Sequence, residues 1–318
     1  MSLSREPLEE RLWSGIVTRI LINTISHPIE YARVLIQIGH EPILPRETRT
    51  LFGKPALALP NIFQYVKHIK TVDGFTGCYR GFVPKLCSYT LSAVAMEKVS
   101  ESVLFTEIYP QVHSDNEDIE ELPDEKRKAA YQRELIKEIV TKIVGIVACH
   151  PLDVVTLRMM AQFVGRETKY NGVIQSFVEV YKENGIMGYY AGLVPRLISH
   201  ISTLALVSYS TYFINKYIIH DRETKKYTST IMTFLASTFT YPLLVVYNCM
   251  AINNSGLEAG MPPNMPIYIS WTDCWSHLSS MNQLKRGSSL LWRYYTGPQV
   301  VINGRLVALT NKQFYYHK

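Results

Sequence analysis

The chain has 318 residues, is 47% hydrophobic and 19% charged, and carries a formal net charge of +6. Its five cysteines, Cys78, Cys87, Cys149, Cys249 and Cys274, are odd in number and form no Cys-x-x-Cys pair, which argues against a disulfide framework or a zinc site and leaves them as reduced packing residues. Nothing in the charge pattern suggests nucleic acid; the basic surplus suits anionic lipid headgroups or ordinary solubilising loops.

Residues 1–11 mix Arg5 and Arg11 with Glu6, Glu9 and Glu10 and have neither the apolar core of a secretory signal nor the acid-poor character of a transit peptide, so targeting is expected to be internal. A first long helix is predicted from about Leu12 to Ile38, ending near Gly39, followed by a loop over Glu41–Pro60 and a short surface helix over Asn61–Thr71. A second membrane helix starts near Gly81. The stretch Ser114–Glu125 is dominated by acids and reads as a solvated loop insert. Further long helices are predicted over Tyr131–Phe163, Ala191–Ile219 and Tyr227–Ile252, with surface helices over Val173–Lys182 and Ile269–Leu284. The run Tyr227–Leu257 contains no charged residue, ample for a crossing that needs about 20 residues. Leu197–Ile214 is a second such run. The other long candidates are interrupted by charges, as in helices that line a polar interior. After Pro298 only Gln299–Thr310 is at all apolar, and Asn303, Gly304 and Arg305 interrupt it, so five spans are expected and a sixth is not.

The segment His27-Pro28-Ile29-Glu30-Tyr31-Ala32-Arg33 returns as His150-Pro151-Leu152-Asp153-Val154-Val155-Thr156-Leu157-Arg158, and more faintly as Tyr241-Pro242-Leu243-Leu244-Val245-Val246-Tyr247. A second motif keeps step with it. Asp73-Gly74-Phe75-Thr76-Gly77-Cys78-Tyr79-Arg80-Gly81-Phe82-Val83-Pro84-Lys85-Leu86 reappears as Asn184-Gly185-Ile186-Met187-Gly188-Tyr189-Tyr190-Ala191-Gly192-Leu193-Val194-Pro195-Arg196-Leu197, with Gly287–Arg293 as a remnant. The chain is therefore a threefold repeat in one membrane domain: repeat one over about 10–110, repeat two over about 130–220 and a degenerate repeat three over about 226–318. These paired motifs resemble the signature of the mitochondrial carrier family. The resemblance implies an all-α membrane protein in which each repeat supplies two transmembrane helices joined by a surface helix, here with the sixth transmembrane helix missing.

In carriers the motif acid of one repeat pairs with the base of the next and closes one mouth during alternating access. Carried over by position, Glu30 would face Thr156, Asp153 would face Tyr247 and Arg33 would face Leu244, so none of the three bridges can form. On this resemblance the chain looks like a carrier that has stopped transporting. Arg19, Asn23, His27, Glu30 and Arg33 fall at helical steps and are read as one polar stripe. Lys142, Cys149, Asp153 and Thr156 form a second; Arg196, His200, Thr203 and Ser210 a third; Thr230, Thr233, Ser237, Tyr241 and Asn248 a fourth. Five such helices without a sixth would leave a hydrophilic furrow open to lipid between the fifth helix and the first. Blander readings stand beside this one. His27 packs beside the Pro28 kink, Glu30 and Arg33 neutralise each other, Arg196 snorkels to headgroups, the hydroxyls satisfy backbone carbonyls, and Trp13, Trp271 and Trp275 are interfacial anchors. The sequence holds no phosphate-cradling glycine loop, metal-binding histidine pair or nucleophile elbow, so an enzyme, a cofactor and a metal are not expected.

Four blocks, Val34–Pro42, Gln162–Tyr170, Ala191–Leu197 and Pro266–Cys274 with Trp275, are similar to the mitochondrial carrier homologue subfamily of divergent outer-membrane carriers. That resemblance implies multi-pass residence in the mitochondrial outer membrane and insertion of tail-anchored and other α-helical clients. It also implies docking of a pro-apoptotic Bcl-family protein. Arg33 and His200, at matching groove positions, would set how polar the path is; Glu30, Asp153, Asn23 and Tyr241 would complete it. An inner-membrane solute carrier, a lipid scramblase and a receptor or scaffold that holds a partner through its acidic loop remain the alternative readings.

Overall fold

A computed structural model describes residues 8–49, 53–101, 124–219, 221–297, 299–302 and 305–308. Five long helices dominate it: α1 (Leu8–Gln37), α3 (Phe82–Glu101), α4 (Asp124–Ala161), α6 (Leu193–Tyr217) and α7 (Arg222–Ile252). Three short ones lie between or after them: α2 (Ile62–Gly77), α5 (Val173–Asn184) and α8 (Trp271–Ser280). Lys128–Ala161, Ile186–Tyr217 and Tyr227–Ile252 are long and apolar enough to cross a membrane. Pro28, Pro151 and Pro242 each stand inside a long helix, α1, α4 and α7. Asp124 and Glu125, which the sequence assigns to the acidic loop, are instead the first residues of α4, and residues 114–123 lie outside the described part.

One clamp recurs in all three repeats. The ring residue before each motif proline bonds the backbone carbonyl before each motif glycine: His27 Nε2 to Arg80 O at 3.1 Å, His150 Nε2 to Ala191 O at 3.1 Å, and Tyr241 Oη to Arg286 O at 2.6 Å. Those glycines need positive φ, +76° at Gly81, +78° at Gly192 and +71° at Gly287. A Cβ on Gly192 would also sit 2.9 Å from the Tyr247 carbonyl. The third repeat thus keeps its clamp although its sequence has drifted.

The surface helices are amphipathic and seat the packed end of the bundle. α2 begins on a capping box between Asn61 and Gln64 and buries Ile62, Tyr65 and Ile69; α5 buries Ser176 and Val180; α8, capped by Ser270, buries Cys274 and Leu278. Against them pack the C-terminal halves of α1, α4 and α7 through Tyr31, Leu35, Val154, Met160, Val245 and Ile252. At the other end of α1, Val17, Leu21, Ile22 and Ile25 are exposed, as lipid-facing side chains are.

Strands were not expected. Arg46–Arg49 (β1) and Pro55–Leu59 (β2) form an antiparallel hairpin inside the loop after α1, and Arg293–Tyr294 (β3) adds a third strand to β2. Arg293 also forms an ion pair with Glu41 and donates to Pro60 O at 2.8 Å, so the chain beyond α8 is sewn to repeat one. Among the described residues no helix follows α8; Gln299–Ile302 (β4) and Arg305–Ala308 (β5) pair as a hairpin.

Arg158, in the last turn of α4, has no exposed surface. Its Nε donates to Ala251 O at 3.1 Å and its Nη1 to Tyr170 Oη at 3.5 Å, and Gln162 brackets Tyr170 through both backbone groups at 3.0 Å. The cation therefore sits at the negative ends of two helix dipoles, α4 and α7. Arg158→Met keeps the apolar stem and deletes the charge-assisted bond, leaving the Ala251 carbonyl bare. Thermal unfolding in detergent is expected to report a loss of about 2–3 kcal/mol.

Candidate functional site

A cavity of ≈ 820 Å³ lies between the packed end and the open end of the bundle, lined by residues of all five long helices. Of the residues singled out in the sequence, Glu30, Arg33, Lys142, Cys149, Asp153, Thr156, Arg196, His200, Thr203, Ser237, Tyr241 and Asn248 line it, whereas Ser210, Thr230 and Thr233 do not. His27 does not. Its ring is fully buried, 5.8 Å from the Tyr79 ring and 5.1 Å from Phe82. The reason is angular: six residues of α-helix from His27 to Arg33 leave the two side chains about 120° apart on α1, so the three-residue steps of the stripe wind off the inner face. Asn23, one turn further towards the N-terminus, is half-buried and also outside the lining. The side chain of Arg19 lies outside the described part.

Neither motif acid is left without a cation. Asp153 Oδ2 takes Arg196 Nη1 at 2.5 Å, its Oδ1 accepts the Ser88 hydroxyl at 2.5 Å, and the Cys149 thiol lies 3.2 Å from Oδ2. Arg196 also bonds His150 Nδ1 at 3.0 Å and lies 5.2 Å from the Tyr247 ring centroid. Glu30 forms an ion pair with Lys85, whose Nζ stands 5.7 Å over the Tyr89 ring. Glu30 thus pairs across to α3 and not with Arg33 along its own helix. Nor does Arg196 snorkel, since its guanidinium points inward.

Lys85 was missed, and the repeat contains the signal for it. Gly81-x-x-x-Lys85 and Gly192-x-x-x-Arg196 put a base at the same place, and two residues after the motif prolines stand the acids Glu30 and Asp153. In repeat three both places are leucine, Leu244 and Leu291. The acid and the base are kept together or lost together, as a low-dielectric interior demands, because either charge alone is costly there. Gln37 was missed too: it accepts from Asn248 Nδ2 at 2.6 Å and donates to Tyr241 Oη at 2.9 Å, joining α1 to α7.

The cross-repeat positions form no charge gate. The Thr156 hydroxyl turns back to Leu152 O at 2.8 Å, Tyr247 lies under Arg196, and Leu244 is apolar. Arg33 rests 5.2 Å from the Tyr241 ring centroid, its Nε is buried without a partner, and among the described residues no carboxylate pairs with it. The lining holds four cations, Arg33, Lys85, Lys142 and Arg196, against two carboxylates.

These features define a class: a threefold helix-pair membrane bundle around a polar cavity. The mitochondrial carrier protein family profile matches residues 4–103 and 130–222. Mitochondrial carrier homolog 2 of Homo sapiens and of Mus musculus are each 38% identical over 284 residues, covering 86% of this chain and 90% of the relative. Mitochondrial carrier homolog 1 of Mus musculus is 35% identical over 298 residues, covering 86% of this chain and 74% of the relative. The chain belongs to the mitochondrial carrier family, in its carrier-homologue branch, and is a mitochondrial membrane protein.

Asp153→Leu or Arg196→Leu alone strands a buried charge and is expected to cost about 3–5 kcal/mol. The double variant copies the leucines of repeat three and is expected to cost much less than the sum, in a thermal-unfolding double-mutant cycle. Additive losses would show that the pair is not the unit.

Proposed function

We propose that this protein inserts tail-anchored and other α-helical proteins into the mitochondrial outer membrane, with the cavity serving as a hydrophilic furrow open sideways to lipid between α7 and α1 beyond the bonds of Gln37 to Tyr241 and Asn248 that join them at the packed end. The observation that supports it most is the polar cavity itself, lined by six charged side chains inside a bundle in which no described helix follows α8 to wall it off. A client's hydrophilic tail crossing bare hydrocarbon meets several kcal/mol per unsatisfied polar group. A sideways polar path lowers that barrier. The apolar client helix then slides into lipid, and its burial drives the step without a nucleotide. The absence of a charge gate fits a path that has no need to hold two sealed states apart.

A solute carrier is the second reading, favoured by the family and by 23% identity over 80% of this chain to mitochondrial thiamine pyrophosphate carrier 1 of Neurospora crassa. A docking role for a pro-apoptotic Bcl-family protein would use the acidic stretch 114–125 as its handle. Purified protein in liposomes separates the readings. Protease-protected insertion of a tail-anchored client, without solute exchange, is the expected result; solute exchange alone, or lipid flipping alone, overturns it.

Arg33→Glu and His200→Arg both alter a charge where screening is weak and are expected to change the client's insertion rate at matched abundance. Glu47→Lys, on an exposed strand, is screened within about 10 Å and is expected to do little. Equal effects from all three would assign the activity to net charge. Five spans place the two termini on opposite sides of the membrane, so tags at the two ends are expected to differ in protease protection.

A further inference from the structure

Both carboxylates of the cavity lining are taken, Glu30 by Lys85 and Asp153 by Arg196. Of the two other cations there, Lys142 has the Glu138 carboxylate one turn earlier on α4. Arg33 has none. Among the described residues no nitrogen of its guanidinium has a hydrogen-bond partner, and its Nε is buried. The guanidinium stands 5.2 Å from the centroid of the Tyr241 ring. That ring is pinned through its hydroxyl, which accepts from Gln37 at 2.9 Å and donates to Arg286 O at 2.6 Å. A guanidinium backed by a fixed ring keeps its in-plane N–H fork for a planar acceptor, and a carboxylate fits that fork with two parallel bonds. An ionised group inside a membrane bundle is costly to keep and marks a site with a partner.

We propose that Arg33 is a carboxylate-binding site and that its ligand is the C-terminal carboxylate of the tail a tail-anchored client passes through the furrow; this rests on the insertion role proposed above. A tail-anchored protein is held by a helix close to its C-terminus, so the segment that crosses ends in an α-carboxylate whatever its sequence. That charge is common to every such client. Bare hydrocarbon offers it nothing, whereas Arg33, on the α1 side of the seam and one turn before Gln37, offers a cation at the inner end of the furrow. Capture is transient, because burial of the client helix in lipid draws the tail onward.

The test uses the full chain in liposomes and a synthetic single-helix peptide with a short hydrophilic tail, made once as the C-terminal acid and once as the amide. Insertion is read as protection of a label on the tail from an added quencher. The expected result is insertion of the acid about tenfold faster than the amide, the scale of one charge-assisted hydrogen bond. Arg33→Gln is expected to make the two rates equal, and Arg33→Lys to keep part of the preference. An amide peptide ending in Asp separates the sources: recovery of the rate assigns the site to carboxylates of either kind, and no recovery to the chain terminus alone. Equal rates for acid and amide, both above protein-free liposomes, overturn the carboxylate site and leave insertion standing, and a preference that survives Arg33→Gln overturns the assignment to Arg33. If neither peptide inserts above protein-free liposomes, the insertion role fails instead. Competition binding of the same two peptides to the protein in nanodiscs then decides the site: tighter binding of the acid, lost in Arg33→Gln, upholds it, and equal binding overturns it.

Discussion

A carboxylate inside a membrane bundle persists only with a cation close by, and in this protein that requirement is met within each repeat. Glu30 finds Lys85 and Asp153 finds Arg196, each pair joining the two long helices of one repeat. Ser88, one turn beyond Lys85, reaches Asp153 from repeat one and links the pairs into a belt across α1, α3, α4 and α6. In repeat three the belt stops, because Leu244 and Leu291 stand where the charges would be. The seam from α7 to α1 is held instead by neutral groups, Gln37, Asn248 and Tyr241. Charge stitches one part of the ring and amide and hydroxyl groups the other.

The end of the bundle that carries the surface helices is governed by different physics. There the proline-containing helices converge on an apolar core, and the ring-to-carbonyl clamps fix where α3 and α6 begin and hold the corresponding glycine turn at Gly287 in repeat three. The clamp outlasts the ion pair in repeat three because it asks only for a side-chain donor and a backbone carbonyl, which sequence drift cannot remove. His27 belongs to this clamp and not to the cavity. Its polarity serves folding.

The five long helices were legible in the sequence because their apolar runs and motif prolines recur, and the chain belongs to the family the motifs pointed to. Ends were less so: α2 runs on to Gly77 through a break at Gly74, and α8 closes at Ser280. The strands escaped notice because β1 is Arg-Glu-Thr-Arg, without apolar alternation, and β3 is two residues long and pairs far away in the chain. In the cavity, positional reasoning found the acids and saw that no bridge between repeats could form, but it named no partner for them in the second helix of their own repeat. It carried over contacts between repeats, while the repeat's own pairing of Glu30 with Lys85 and Asp153 with Arg196 was available by aligning Gly81 with Gly192. Tertiary partners such as Gln37 have no local signal, since a glutamine in an apolar helix looks the same whether or not an asparagine lies across from it.

The bond between Glu41 and Arg293 spans 252 residues of sequence. A contact of such reach is entropically slow to form, whereas the pairs within repeats one and two close over far shorter loops. During synthesis the first two repeats can therefore consolidate while the residues that complete the ring are still unmade. The α7 to α1 seam is then the youngest joint in the molecule. Under the insertion role proposed above, the last joint to close is also the one most readily shared with a client helix.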